Sequence, residues 1–236
     1  MEELFFSIII PAHNEEKYIK VLLRSIKKLS YPISKFEVII VENGSNDKTF
    51  IEAKKFRGKS VRVFSIKKRG ISLAKNYGAS KANKKADWLI FLDADTLVKK
   101  IFLSSINSYL NSNNLKSLSI GTTMVSPIEK GPAMNVWFRY YDNVHRFLKM
   151  SASIQIVRKK FFNLARYDEN LEQQEDMSLI KNMLNLGKFF YISKNIVSAS
   201  TRRFKKVGGF RLSLMWIFSG LLPYKIKTKS HYEIIR

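Results

Sequence analysis

The chain places two aspartates one residue apart, Asp93 and Asp95, directly after the apolar run Leu89-Ile90-Phe91-Leu92. So short an apolar run reads as a buried strand. Carboxylates that close together repel, and burying them is costly unless a cation lies between them. The pair fits either a solvated turn or a divalent-cation site at the carboxyl end of a strand, where open α/β sheets collect their ligands. Three further stretches carry acids: Pro11-Ala12-His13-Asn14-Glu15-Glu16, Glu42-Asn43-Gly44-Ser45-Asn46-Asp47, and Glu175-Asp176. Each also has a purely structural explanation. Asn14 can cap a helix whose first turn favours acids, Asp47 can cap the helix after a glycine turn, and Glu175-Asp176 can be an acidic first turn.

These stretches act together only if the chain brings them to one edge, and the pattern between them does so. Residues 5–10, 36–41, 61–66 and 88–92 read as strands. Between them Ile19, Leu22, Leu23, Ile26 and Leu29 recur at helical spacing. Phe50, Ile51, Ala53 and Phe56 mark a second helix, and residues 71–82 a third. Strands alternating with helices imply a mostly parallel α/β sheet covered on both faces, whose strand ends converge. Farther on, the pattern predicts a helix over 97–110, a strand over 118–125, an aromatic-rich helix over 131–147 and a strand over 154–157. A helix over 178–186 and short strands over 189–192 and 196–199 follow. With no repeat and no linker, one domain is expected over 1–208, followed by a C-terminal apolar and basic segment over 209–236.

Taken in order, the four stretches resemble the motifs of the inverting family 2 glycosyltransferases with the GT-A fold, a Rossmann-like sheet flanked by helices. The likeness covers roughly residues 5 to 205. Ile10 to Glu16 looks like that family's opening motif and Val41 to Thr49 like its second. Ala74-Lys75-Asn76-Tyr77-Gly78 looks like the helix entry that follows, Asp93-Ala94-Asp95 like its DxD motif, and Glu175-Asp176 like its ED motif. The resemblance implies a nucleotide-sugar donor (UDP- or GDP-linked) held at Pro11, Ala12, Asn14, Glu15, Glu42, Asn43, Lys75, Asp93, Ala94 and Asp95. It also implies Mg2+ or Mn2+ at Asp93 and Asp95, and Asp176 as the base. Glu175 would stand beside that base, toward the acceptor or the helix end. Arg202-Arg203 reads either as a surface basic cluster or as neutralising the phosphate of the leaving group or of the acceptor. Two departures conserve charge: Glu42 and Lys75 stand where the family usually has Asp and Arg, and Lys lacks the planar bidentate fork. The chemistry agrees. Negative charge grows on a leaving nucleoside diphosphate, hard oxygen ligands suit the cation that offsets it, and inversion needs one base opposite the leaving group.

The charge balance narrows the partners. Forty-two Lys and Arg against nineteen Asp and Glu make a formal +23, which attracts anions. Steeply salt-dependent binding to duplex would mark a nucleic-acid-binding protein. The aromatics, however, sit in apolar patterns, and no nucleic-acid signature appears, so no nucleic acid is expected. A nucleotidyltransferase would place a glycine-rich phosphate loop after the first strand, and none is there. A catalytically dead scaffold of the same fold is disfavoured by intact acids in every motif. Cysteine is absent, which excludes disulfides and thiolate sites, and His13, His145 and His231 stand at no metal spacing. Acids before the first apolar run and Pro11 just after it argue for a strand there rather than a signal peptide. The apolar stretch 212–222 is too short to span a bilayer, but basic residues flank it on both sides. Adsorption to an anionic membrane is therefore expected, with the aromatic helix as a second contact. The expected acceptor is a polyprenyl-phosphate or lipid-linked glycan, and the expected location is the inner, cytoplasmic face of the cell membrane.

Overall fold

A computed structural model describes residues 2–129, 131–151, 153–171, 174–202, 206 and 208. Its first half alternates as the sequence implies. Strand β1 (Phe6–Ala12) leads to helix α1 (Glu16–Ile26), β2 (Phe36–Asn43) to α2 (Thr49–Lys54), and β3 (Val61–Ile66) to α3 (Ile71–Ser80), before β4 (Trp88–Leu92). These four strands are parallel in the order β3-β2-β1-β4. Parallel strands are buried on both faces and so read as continuous apolar runs. Ile8, Ile10, Val38, Ile40 and Ile90 pack under α1 and α4 (Phe102–Asn111), whereas Ile9, Ile39, Leu89 and Phe91 pack under α3 and α7 (Glu175–Leu184). Gly78 lets α3 lie close on the sheet, because a Cβ there would sit 2.5 Å from Ile9 Cγ2. That approach brings Lys75, one turn earlier, over the strand ends.

The second half departs from simple alternation. Strand β7 (Ile154–Arg158) inserts antiparallel between β4 and β6 (Leu118–Pro127); β8 (Lys188–Ala199) runs parallel to β6; and the short β5 (Thr96–Val98) pairs antiparallel with β8 at the edge. The sheet is thus mixed but mostly parallel. Helix α5 (Pro132–Phe147) lies between β6 and β7, and α6 (Lys159–Phe162) follows β7. Three local expectations are corrected. The helix expected over 97–110 begins only at Phe102, because residues 96–98 are drawn into the sheet by pairing Thr96 with Ala199. The two short strands expected after residue 188 are one strand that absorbs the break as register shifts. Asn14 does not cap α1. Its φ of 55° is left-handed, and the Glu16 N–H finds its acceptor in Asp47 Oδ2 at 3.1 Å, from the turn after β2. Asp47 also accepts from the N–H of Thr49, at 2.9 Å, and so serves the first turns of two helices. Residues 209–236 and Arg203 lie outside the described residues.

Candidate active site

Strand register explains why distant motifs meet. β1 and β2 pair in step from Phe6↔Phe36 to Ala12↔Glu42, so Pro11, Ala12, Glu42 and Asn43 end side by side. Ile9 pairs with Phe91, and two residues later the Asp93-Ala94-Asp95 turn leaves β4 beside them. β7 returns to the same point: the Asp93 N–H donates to Ser153 O at 3.0 Å. β8 ends against β5, where the Ser200 N–H donates to Asp95 O at 3.1 Å. Arg202 follows immediately.

The first charge network is built on that guanidinium. Arg202 donates from Nη1 to Glu15 Oε2 at 3.0 Å and from Nη2 to Glu15 Oε1 at 2.5 Å. The same Nη2 lies 2.9 Å from Asp95 Oδ2, and the guanidinium carbon is 4.7 Å from the centre of the Tyr18 ring. Burial by itself would lower the Arg202 pKa. The bonds to Glu15 and the charge of Asp95 outweigh burial and raise it. Arg202 Nε is buried, and no hydrogen-bond partner for it is found among the described residues. An arginine from the end of β8 thus ties together carboxylates that follow β1 and β4.

The second network centres on Lys75, which is 3% exposed. Its Nζ lies 3.1 Å from Glu175 Oε1 and 2.6 Å from Asp176 Oδ1, both on the first turn of α7. It also sits 4.6 Å from the centre of the Tyr167 ring. Desolvation would lower its pKa, but Asp176, Tyr167, Glu175 and Asp93 together push it well above the usual lysine range, so the ammonium persists. Glu175 is pushed up, first by burial and then by the neighbouring Asp176, against the pull of Lys75. Because the charge of Asp93 acts on Lys75, the DxD turn and the α7 turn belong to one electrostatic neighbourhood. Tyr167 donates its OH to Gln155 Oε1, and Gln155 Nε2 reaches Asp176 O at 3.3 Å. Tyr167, Gln155 and Tyr18 shape the site, yet the sequence offers no signal for them: they lie outside the acidic motifs and are ordinary core or strand residues by pattern.

The glycine turn is held from within. Glu42 accepts from the Ser45 N–H and the Ser65 hydroxyl, both at 2.5 Å. Asn43 Nδ2 donates to Gly70 O at 2.9 Å, while its buried Oδ1 has no partner among the described residues. Asn14 reaches across to this turn, its N–H donating to Ser45 Oγ at 3.1 Å and its Oδ1 accepting from the Asn46 N–H at 2.9 Å. The structure therefore gathers Pro11, Ala12, Asn14, Glu15, Glu42, Asn43, Lys75, Asp93, Ala94, Asp95, Glu175, Asp176 and Arg202 at the carboxyl edge of the parallel strands. Lys75 points to the α7 acids. Among the described residues, no group of three or more acids or histidines is arranged to hold a metal by itself.

Comparison with known proteins bears on the family and the fold. The profile of glycosyl transferase family 2 matches residues 7–185. Poly(ribitol-phosphate) beta-N-acetylglucosaminyltransferase TarS of Staphylococcus aureus is 28% identical over 116 residues, 49% of this chain and 20% of TarS. Minor teichoic acid biosynthesis protein GgaA of Bacillus subtilis is 22% identical over 210 residues, 79% of this chain and 46% of GgaA. The chain thus spans less than half the length of either relative. The crystal structure of S. aureus TarS 1-349 in complex with UDP-GlcNAc superposes with a TM-score of 0.69 at 23% identity, covering 84% of this chain and 59% of that one, which establishes a shared fold. With the profile spanning most of its length and this sheet beneath it, the chain belongs to glycosyl transferase family 2, a family of transferase enzymes.

Proposed function

We propose that the protein moves a sugar from a nucleotide-sugar donor to an acceptor with inversion, using residues 1–208 as the catalytic domain. The observation that carries this reading is the convergence of Glu15, Asp93, Asp95, Glu175 and Asp176 with two cations, the buried Lys75 and the partly buried Arg202, on one sheet edge. Two buried atoms with no partner among the described residues suit a nucleotide donor. Asn43 Oδ1 is an acceptor awaiting an N–H, as on a nucleobase, and Arg202 Nε is a donor awaiting an anion. A buried polar atom without a partner costs about 1–3 kcal/mol, so a ligand that satisfies both gains from them. A UDP-sugar is favoured over a GDP-sugar because the TarS relative is named for its complex with UDP-GlcNAc.

Asp93 and Asp95 fit a hard divalent cation, Mg2+ or Mn2+. They are paired oxygen donors at a strand end, and because no group of three or more such residues among the described ones is arranged to hold a metal, the donor diphosphate would complete the ligand set. Such a cation would offset the charge that develops on the leaving diphosphate. Arg202, already seated on Asp95, adds a second positive group at that position and can fork onto phosphate oxygens. Asp176 takes the proton of the attacking hydroxyl. Lys75, kept protonated, holds that carboxylate and its neighbour Glu175 in place through contacts of 2.6 and 3.1 Å. The acceptor is a phosphate-bearing lipid or lipid-linked glycan at the cytoplasmic membrane face, in keeping with the poly(ribitol-phosphate) in the name of TarS and the teichoic acid in that of GgaA. Where that acceptor is itself an ionised phosphate, Asp176 contributes less. The segment 209–236 is assigned to membrane adsorption. The test is hydrolysis and calorimetric binding of UDP- and GDP-sugars with Mg2+ or Mn2+. Binding of neither class would overturn the donor assignment.

A further inference from the structure

Among the described residues, helix α5 turns several large apolar side chains outward together. Phe147 is 86% exposed, Val136 71%, Tyr140 54% and the following Leu148 53%. Positions 136, 140 and 147 lie within about 40° of one another on a helix of 3.6 residues per turn, so their side chains form one apolar ridge. Arg139, Arg146 and Lys149 are exposed along it, and no exposed acid accompanies them. Asp142, on the same helix, is turned inward and accepts from the Tyr191 hydroxyl of β8. Apolar side chains beside basic ones, with no acid, complement a surface that is apolar below and negatively charged above.

The ridge is joined to the sheet through Tyr191 of β8, which meets Asp142 and Arg146 of α5. Buried His145 bonds through Nδ1 to Tyr141 O at 2.7 Å, and Arg146 lies 5.6 Å from the Tyr191 ring centre. Both ends of the excursion that carries α5 are fastened beside the acidic edge. On leaving β6, the chain donates the Ile128 N–H to Ala199 O at 3.0 Å. Glu129 Oε2 then accepts from the N–H and hydroxyl of Thr201, at 3.0 and 2.7 Å, next to Arg202. On returning, Ser153 accepts the Asp93 N–H. A surface that receives α5 therefore lies near the residues that would meet donor and acceptor.

We infer that the α5 ridge docks on an anionic lipid bilayer and so presents the catalytic edge to an acceptor carried in that membrane. The inference deepens the proposed function, since it concerns where that site's acceptor is met, but the docking can be measured with no sugar present. Full-length protein is mixed with vesicles of phosphatidylcholine containing phosphatidylglycerol, or of phosphatidylcholine alone, and co-sedimentation is followed across salt. The variants are Val136→Glu/Phe147→Glu, which breaks the ridge, and Arg139→Gln/Lys149→Gln, which removes charge. Melting temperature and calorimetric binding of a UDP-sugar serve as controls. The wild type is expected to partition onto the anionic vesicles. The charge variant should lose on the order of thirty-fold, the effect of two basic residues at an anionic surface, and the ridge variant on the order of tenfold or more. Melting should be unchanged in both. The inference is overturned if the wild type ignores anionic vesicles, or if both variants bind as the wild type does, which would leave the docking to residues 209–236. It is equally overturned if the wild type dimerises in sedimentation equilibrium and the ridge variant loses only that dimer. Failure of UDP-sugar binding in the wild type would instead remove the donor assignment and leave the docking result standing.

Discussion

Replacing Lys75 by Met tests the electrostatic centre of the site. Met keeps the length of the stem and a favourable contact with the Tyr167 ring, so the change is chiefly loss of the ammonium. Glu175 is then buried beside Asp176 with no cation in contact. Truncating one partner of a buried pair costs about 3–5 kcal/mol. The carboxyl has an escape, because it can take up a proton. An ordinary glutamate titrates near pH 4.3, so keeping one neutral at pH 7 costs about 4 kcal/mol, and at pH 5 only about 1 kcal/mol, at about 1.4 kcal/mol per unit. That sets a ceiling on the loss and gives it a sign. In the variant the folded chain holds a proton that the unfolded chain releases above about pH 4.3, so the deficit grows as pH rises and shrinks in acid. In the wild type the raised pKa of Lys75 contributes stability that is lost only in the alkaline range, so that group stays level between pH 5 and 7. Urea unfolding of wild type and variant at pH 7 and pH 5 measures the difference directly. Lys75→Met/Glu175→Gln should recover most of the loss at pH 7. A deficit below about 1 kcal/mol at pH 7, or one as large at pH 5, would refute the account of Lys75 as the counter-ion of a buried acid.

Three other outcomes are expected. Asp93→Asn and Asp95→Asn should each nearly abolish transfer while the melting temperature holds; near-normal activity in either, or wild-type activity indifferent to saturating EDTA, would remove the cation from the reaction. Asp176→Asn should lower turnover far more than donor affinity, because a base acts in the transition state, and calorimetry beside single-turnover kinetics would expose an equal loss of both. Burial depresses the His145 pKa from about 6.5 to about 4, so stability present above pH 6.5 should fall by roughly 3 kcal/mol as the pH drops to about 4, because between those values the unfolded chain takes up the proton before the folded one does. His145→Phe should flatten that slope in thermal melts, and a variant with the wild-type slope would place the acid sensitivity elsewhere.

Much of this protein follows from local pattern. The apolar runs at 5–10, 36–41 and 88–92 become the buried parallel strands Phe6–Ala12, Phe36–Asn43 and Trp88–Leu92 because each run packs on both faces. The spacing of Ile19, Leu22, Leu23 and Ile26 becomes the buried stripe of α1. The motifs are short and their chemistry resides in residue type, so the acidic stretches at 11–16, 42–47, 93–95 and 175–176 were legible without a fold. Pairing over long sequence separations was not. Residues 96–98 carry a pattern that suits a helix, and they become a strand only because β8 offers an edge about a hundred residues later. Asn14 has the type of a cap, but Asp47 across the turn supplies the acceptor and frees Asn14 to brace the glycine turn. Lys75 meets Glu175 and Asp176, and Arg202 meets Glu15 and Asp95, through separations of about 100 to 190 residues. Their identity as a charged pair is written in the composition, but which cation offsets which acid depends on strand order and on how closely Gly78 lets α3 approach. Residue type determined what chemistry the chain can perform. The tertiary structure decided which charges are buried together, because burial removes the water that would otherwise screen each of them separately.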